Sequence, residues 1–273
     1  MPDSSRLTGL IVACPLRAVY NGGMPDQPRV SMLGRATMIL NAFGPQEWVM
    51  PLAELTRKSG LTKPTAYRLA TELADLGLLE RVPGGYRLGI QLVEIGQRTW
   101  WQRVLRDTAL PFLEYLCEAT GHTANLGVLD GPDVVYLEKL PGANDDVRIA
   151  RPGARLPAHC TGLGKSLLAF APRAAVRAAI ASGLPRRGPR TITGSRRLAG
   201  ELDRVRARKV AFDAEESAPG MFCVAAPILG SGADAQGSLS ISGCSTAAEM
   251  ERLRPVVQSA AAEASRRLAG LRV

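Results

Sequence analysis

The chain has 273 residues, which at roughly 150 residues per domain suggests about two domains. Hydrophobic residues make up 46% of it, so the chain can bury a core and a wholly disordered protein is excluded. Basic residues outnumber acidic ones by 34 to 25, and the net charge of +9 is a moderate indication of a polyanionic partner. No apolar run approaches the ~20 residues that a membrane-spanning helix needs, so we expect a cytoplasmic protein without a membrane partner.

The five cysteines are widely spaced and odd in number, and no two form a Cys-x-x-Cys pair. That spacing favours neither a zinc ribbon nor a redox pair. We expect reduced, mostly buried thiols in a cytosolic protein, and no cofactor.

Residues 1–30 contain four prolines and a Gly-Gly pair without hydrophobic periodicity, which predicts a disordered leader. The pattern sharpens from Ser31, where apolar residues recur at spacings of three and four. This predicts a first helix that ends at Gly44-Pro45. A short helix is predicted after Pro51, and Gly60 is expected to stop it.

Thr62 is a good N-cap for the next helix, which Gly77 is predicted to close. Two short strand patterns follow on either side of Pro83-Gly84-Gly85 and predict a hairpin. The order of helix, short helix, sharp turn, helix and hairpin predicts a winged helix-turn-helix domain over residues 31–90.

The helix after Thr62 has one apolar face and one polar face when its residues are placed at about 100° each. The predicted buried stripe consists of Ala66, Leu69, Leu73 and Leu76. The predicted outward face carries side chains suited to bases or phosphates, with Thr65 at its edge: Lys63, Tyr67, Arg68 and Thr71. In a helix-turn-helix this part of the second helix meets the major groove. Arg81 and Arg87 of the wing are predicted to lie along the DNA backbone.

A linker helix is predicted over residues 91–107, and a second domain over 108–273. In that domain, helical patterns lie at 109–120, 162–170, 173–182, 197–208 and 246–271. Strand patterns lie at 123–129, 134–140, 147–150, 222–229 and 236–243. The mixture predicts an α+β domain with a largely antiparallel sheet.

Several ordered segments resemble the isocitrate lyase regulator (IclR) family of bacterial transcription factors. In the first half these are Leu33–Ala36, Leu52–Leu55, Ser59–Leu69 and Tyr86–Gly89. In the second half they are Leu156–Ala169, Asp213–Ile228 and Ser238–Gly243. Together they extend over residues 31–271.

The resemblance implies a GAF-like effector domain that binds a small molecule, such as a carboxylate or an aromatic metabolite. Carried over by position, the implied effector site is Gly162, Leu163, Asp213, Met221, Cys223, Ser240 and Ser242. Because a lone winged helix binds DNA weakly, we expect a homodimer or homotetramer that binds a near-palindromic DNA operator. Repression relieved by the ligand is the default expectation, although activation is equally compatible with the sequence. Asp145-Asp146 near the expected pocket mouth argue against a strongly anionic effector.

Other interpretations stay open at this point. The winged domain could serve protein contacts, beside a second half that acts as a small-molecule sensor or enzyme. His159, Cys160, Cys223 and Asp213 could form a thiol or metal site, although adjacent residues of an extended chain point to opposite faces. Residues 173–209 hold eleven basic and two acidic residues and are interpreted as a solvated basic face rather than a DNA contact.

Overall fold

The structure, a computed structural model, describes residues 31–44, 47–143 and 151–271 and divides into two compact units between Gly96 and Gln97. The predicted leader over 1–30 lies outside the described residues. So do the predicted strand at 147–150 and the acidic pair Asp145-Asp146.

The first unit contains four helices and one hairpin among its described residues. They are α1 (Met32–Asn41), α2 (Leu52–Ser59), α3 (Lys63–Asp75), β1 (Leu79–Val82), β2 (Gly85–Leu88) and α4 (Gln91–Gln97). The core of this unit combines one face of each of α1, α2 and α3 with Leu79 and Tyr86 of the hairpin. Met50 extends the hairpin, because its N–H donates to the Tyr86 carbonyl at 2.8 Å and its carbonyl accepts in return at 3.0 Å. This is the predicted winged helix-turn-helix.

Two details of this unit correct the sequence prediction. Leu76 is 58% exposed rather than buried, because α3 ends at Asp75 and Leu76 is only its C-cap. The predicted linker helix over 91–107 is not one helix. It is divided between α4 and the much longer α5 (Trp100–Thr120), which contains Pro111 and lies entirely in the second unit.

The second unit is built on a six-stranded antiparallel sheet in the order β5-β4-β3-β8-β7-β6. The strands are β3 (Thr123–Asp130), β4 (Asp133–Leu140), β5 (Arg155–Pro157), β6 (Ala211–Ala214), β7 (Phe222–Leu229) and β8 (Ala235–Ser242). The helices are α5, α6 (Gly162–Ala169), α7 (Arg173–Ala181), α8 (Ser195–Arg208) and α9 (Ala247–Gly270). The α+β class and the antiparallel sheet are confirmed. Sequence reasoning did not find β5 and β6, which have three and four residues and are too short for a periodic signal.

The two faces of this sheet have different neighbours. One face is apolar, with Leu126, Val224 and Ile241 packed against α5 and α9 in the largest core cluster. The other face is covered by α6, which is buried along its whole length. Polar side chains on this second face are therefore enclosed between the sheet and α6. Among the described residues, none of the helices combines the length and the hydrophobicity of a membrane span.

Candidate functional site

The turn between α2 and α3 is short because Gly60 adopts a left-handed conformation with φ = 67°. Glycine takes this conformation without the clash that a Cβ atom causes in other residues. The Thr62 carbonyl then accepts the first hydrogen bond of α3, from the Ala66 N–H at 2.9 Å. The Thr62 hydroxyl does not cap the helix backbone and instead lies 3.0 Å from the Thr65 hydroxyl.

The first two turns of α3 carry three exposed side chains with hydrogen-bonding groups: Lys63, Tyr67 and Arg68. Over the described part of the chain, neither Lys63 nor Arg68 has an ion-pair partner, so both charges are available to a polyanion. Thr65 is half-buried at the edge of this face, as predicted. Thr71 differs from the prediction, because its hydroxyl oxygen is buried and makes no hydrogen bond to any described residue. The exposed residues in the second half of α3 are the acidic Glu72 and Asp75, so the face suited to DNA is confined to the first part of the helix.

The wing, formed by the hairpin β1–β2, has less unpaired positive charge than its two arginines suggest. Arg87 forms a cross-strand ion pair with Glu80 of β1, so its charge is largely compensated. Arg81 is exposed and has no such partner among the described residues. Arg81 is therefore the more available cation of the two.

A cavity of about 60 Å³ lies in the second unit, on the sheet face that is covered by α6. Its volume is several times the ~10–15 Å³ that one water needs. The strand register explains its polar wall. Ser240 of β8 lies opposite Asn125 of β3, while Ser242 lies opposite Cys223 of β7, which in turn pairs with Asp213 of β6. Residues two apart on a strand share a face, so these side chains converge.

Six of the seven effector residues implied by the family resemblance line this cavity: Gly162, Asp213, Met221, Cys223, Ser240 and Ser242. Leu163 does not. It points into an apolar cluster with Val134, Tyr136 and Ala225, because consecutive residues of α6 face different sides. Sequence reasoning missed six other lining residues: Asn125, Tyr136, Leu156, Thr161, Arg187 and Ser217.

Asn125 in the cavity wall has a side-chain oxygen that lacks a hydrogen-bond partner among the described residues. Its side chain is 1% exposed, and its Nδ2 donates to the Ser242 hydroxyl at 3.1 Å and to the Ser240 hydroxyl at 3.4 Å. Its Oδ1 is buried and accepts no hydrogen bond from the described residues. An unsatisfied buried acceptor costs about 1–3 kcal/mol, a cost that a bound ligand with a donor group would remove.

Asp213 is held mainly by its own chain. One carboxylate oxygen accepts from the backbone N–H groups of Glu216 at 2.8 Å and Ser217 at 3.2 Å, and the other accepts from the Ser217 hydroxyl. Burial raises the pKa of Asp213, whereas these hydrogen bonds oppose that rise. Asp213 therefore shapes the loop after β6 that lines the cavity, and has little capacity left for a ligand hydroxyl.

Arg187 brings a positive charge to the cavity from within the arginine-rich stretch. The backbone N–H groups of Arg187 and Gly188 donate to the Thr191 hydroxyl, at 2.9 and 2.8 Å, and that hydroxyl donates to the Glu216 carbonyl at 2.6 Å. Gly188 packs so closely that a Cβ atom there would lie 2.2 Å from the Glu215 carbonyl oxygen. These contacts fix the Arg187 backbone beside the cavity. Only the tertiary fold distinguishes Arg187 from the other arginines of the stretch.

The alternative thiol or metal site does not form. The His159 ring is hydrogen-bonded to the Pro185 carbonyl at 3.1 Å, and burial lowers the pKa of this histidine. Burial raises the pKa of the Cys160 thiol to about 12 and also raises that of Cys223, so neither thiol is activated as a nucleophile. In the described ranges, these histidine, cysteine and aspartate side chains do not gather closely enough to share an ion.

Comparison with known proteins follows the same division into two parts. The model of the IclR helix-turn-helix domain matches residues 32–83, and that of the C-terminal domain of the bacterial transcriptional regulator IclR matches residues 99–268. The chain belongs to the IclR family. This family consists of transcriptional regulators and not of enzymes, so the protein is a DNA-binding transcriptional regulator.

IclR-family relatives align over nearly the whole chain. The HTH-type transcriptional regulator XynR of Escherichia coli (strain K12) is 32% identical over 247 residues, which is 88% of this chain and 98% of that protein. BhcR of Paracoccus denitrificans (strain Pd 1222) is 32% identical over 249 residues, which is 90% of this chain and 88% of that protein.

Solved IclR-family structures share the fold. An IclR homologue from Microbacterium hydrocarbonoxydans complexed with 4-hydroxybenzoate has a TM-score of 0.80 and 28% identity, over 88% of this chain and all of the other. Thermotoga maritima IclR has a TM-score of 0.69 and 30% identity, over 87% and 98% of the two chains.

Proposed function

We propose that this IclR-family regulator reads a near-palindromic DNA operator with α3 and responds to a small carboxylate or aromatic metabolite bound in the cavity of its second unit. The observation that carries the proposal is the cavity itself, which combines an unsatisfied buried acceptor on Asn125 with the cation Arg187. In the first unit, Lys63, Tyr67 and Arg68 supply an exposed polar face on the helix that follows the sharp turn.

The chemistry of the cavity supports a ligand with a carboxylate at one end and an apolar body. Arg187 offers a guanidinium that pairs with carboxylates in a bidentate manner. The hydroxyls of Ser240 and Ser242 add hydrogen-bonding capacity, while Met221 and Leu156 provide apolar wall. The 4-hydroxybenzoate bound by the Microbacterium homologue has this chemistry, an aromatic ring with a carboxylate and a hydroxyl.

The roles on α3 follow from exposure and chemistry. We assign Arg68 and Lys63 to guanine edges or phosphates, and Tyr67 and Thr65 to hydroxyl contacts with phosphates or bases. Thr71 contributes least, since its hydroxyl is buried. A single winged helix binds weakly, so we propose a homodimer or homotetramer that places two copies of α3 about one helical turn of DNA (~34 Å), or a multiple of it, apart. Ligand binding would then release the operator, as in a repressor, by favouring another arrangement of the paired heads.

DNA recognition is tested by fluorescence anisotropy with the duplex upstream of the protein's own gene, beside a scrambled duplex of equal length, across a salt series. We expect selective binding to the native duplex. Lys63→Ala and Arg68→Ala should each weaken binding, and a lost phosphate contact should reduce the salt slope by about 0.9. Arg197→Ala, on the exposed face of α8, is the matched control and should leave the slope unchanged. A different result would assign DNA contact to the arginine-rich stretch instead. In that case the protein would bind both duplexes equally, and only Arg197→Ala would reduce the salt dependence of binding.

The ligand class is tested by calorimetry with 4-hydroxybenzoate, benzoate and aliphatic carboxylates, using the neutral benzamide as the uncharged comparison. Arg187→Ala should abolish carboxylate binding. Arg186→Ala is the matched control, because its neighbouring guanidinium is held by the Pro189 carbonyl at 2.8 Å. Carboxylate binding that survives in the Arg187 variant would show that this cation is not the anchor.

A further inference from the structure

A second cluster of ligating side chains lies where β3 begins and β8 ends. His122 directly precedes β3, Cys244 follows β8, and Glu249 lies in the first turn of α9. Thr123 and Ser242 are paired across the two strands, so the residues just beyond them are neighbours. The sheet register and the start of α9 therefore bring three residues together that are far apart in sequence.

The ligand atoms of this cluster are close enough to share one ion. The nitrogen, sulfur and oxygen atoms all lie within 4.8 Å of one another. His122 Nε2 is 3.2 Å from Glu249 Oε1. Tetrahedral zinc, with bonds of about 2.0–2.2 Å to nitrogen and oxygen and about 2.3 Å to sulfur, needs separations of roughly 3.3–3.6 Å between its ligands. Small side-chain rotations about the present positions meet that requirement.

The local structure holds Glu249 in place and leaves one of its oxygens directed at the cluster. The Thr246 hydroxyl caps α9 by accepting from the Glu249 N–H at 3.1 Å, and Glu249 Oε2 accepts from the Ser245 N–H at 2.7 Å. Oε1 faces His122, and the exposed Arg252 guanidinium lies 3.5 Å from it. The backbone thus positions this carboxylate independently of any ion.

The geometry points to a zinc site: we propose that His122, Cys244 and Glu249 bind one Zn²⁺, with water as the fourth ligand. Imidazole, thiolate and carboxylate are all zinc ligands, and the thiolate selects zinc over magnesium or calcium. The His122 and Glu249 side chains are 18% and 21% exposed, which leaves a path for the ion and its water, whereas Cys244 is 3% exposed. On binding, the Cys244 thiol releases its proton to solvent.

This site is separate from the ligand cavity, because none of its three residues lines that cavity. A bound ion would join the start of β3, the end of β8 and the start of α9. It would do so in place of the direct hydrogen bond between His122 and Glu249. The site is therefore structural in the first instance, stabilising one end of the sheet.

The test uses the full chain after chelator treatment, titrated with Co²⁺ as a spectroscopic stand-in for Zn²⁺. We expect one ion per chain, a thiolate-to-cobalt charge-transfer band, and displacement of cobalt by zinc. Cys244→Ser should remove the charge-transfer band. His122→Gln and Glu249→Gln should each weaken binding by more than about 100-fold, since loss of even an outer-shell partner weakens metal binding by about 10–100-fold. The glutamine at 249 can still accept from the Ser245 N–H, so the helix cap is preserved.

Cys117→Ser is the matched control, because the Cys117 thiol donates to the Pro141 carbonyl at 3.3 Å and lies outside the cluster. Cys14→Ser tests whether Cys14, which lies outside the described residues, supplies the thiolate ligand. Both variants should keep the cobalt spectrum, and circular dichroism verifies that each variant is folded. If Cys244→Ser does not fold, the two glutamine variants decide the question. The proposal is wrong if the native chain shows no charge-transfer band, or if the band persists in folded Cys244→Ser protein or disappears with Cys14→Ser.

Discussion

Stability should depend on pH through Glu216, a buried carboxyl in the loop that lines the cavity. Lys165 of α6 is 1% exposed, and its ammonium forms an ion pair with Glu216 and lies 3.8 Å from Glu201. Burial raises the pKa of Glu216 from 4.5 to about 7, although the Lys165 charge opposes that rise and the nearby Asp213 and Glu201 charges add to it. We predict that replacing this carboxyl by an amide, Glu216→Gln, removes one pH-dependent part of the folding free energy.

The sign and size follow from the two pKa values. Below about pH 4.5 the carboxyl is protonated in both the folded and unfolded states and contributes nothing to the pH dependence. As the pH rises to about 7, the unfolded chain releases the proton while the folded protein retains it, so the free energy of unfolding falls. At about 1.4 kcal/mol per pH unit, the native protein should lose on the order of 3 kcal/mol across this range through this carboxyl, and little more at higher pH.

The assay is urea unfolding of the native protein and of Glu216→Gln at several pH values between 4.5 and 8.5. As the pH rises from 4.5 to 7, the free energy of unfolding of Glu216→Gln minus that of the native protein should increase by about 3 kcal/mol. Glu118→Gln makes the same change in net charge at an exposed position of α5 and serves as the control. If the difference between native protein and Glu216→Gln stays constant with pH, the burial argument for this carboxyl is refuted.

Three further substitutions test the packing of helices α6 and α8 and the polar wall of the cavity. Gly164→Ala should destabilise the protein by about 1–3 kcal/mol, because its Cβ would lie 2.3 Å from the Ala158 backbone, whereas Gly200→Ala on α8 meets nothing within 4 Å. Gly200→Ala should instead stabilise the protein by about 0.5–1 kcal/mol. Equal changes in the thermal unfolding midpoint of the two variants would contradict the predicted clash at Gly164. Asn125→Leu should change the free energy of unfolding by less than about 1 kcal/mol, because it removes the hydrogen bond to Ser242 together with an unsatisfied acceptor. The same variant should weaken binding of the best carboxylate by about 5–100-fold, and unchanged affinity would remove Asn125 from the binding site.

The sequence alone was sufficient for the helix-turn-helix because its signals are local. The positive φ at Gly60 and the apolar spacing through Ala66, Leu69 and Leu73 act within a few residues of one another. The first helix and the hairpin were predicted for the same reason, whereas the antiparallel class of the larger sheet was inferred from the mixture of hairpin and helix patterns. The errors occur at the ends and joins of elements, as with Leu76 and the division of the linker into α4 and α5, where propensity is weak and tertiary packing decides.

The cavity was predicted only in part. Residues two apart on one strand, such as Ser240 and Ser242, can be placed on a common face from sequence. The register that sets Asn125 opposite Ser240, and Asp213 opposite Cys223, is a non-local property of the sheet. Leu163 was misplaced because helical rotation relative to the sheet is fixed by packing.

Short-range patterns in the amino-acid sequence are sufficient to predict the family, the order of the elements and the polar face at the start of α3. The tertiary structure alone decided that Arg187 faces the cavity, that Asp213 is occupied by its own loop, and that His122, Cys244 and Glu249 meet at one end of the sheet. These arrangements depend on strand pairing and on close backbone contacts between segments far apart in the chain, which no local pattern of residues encodes.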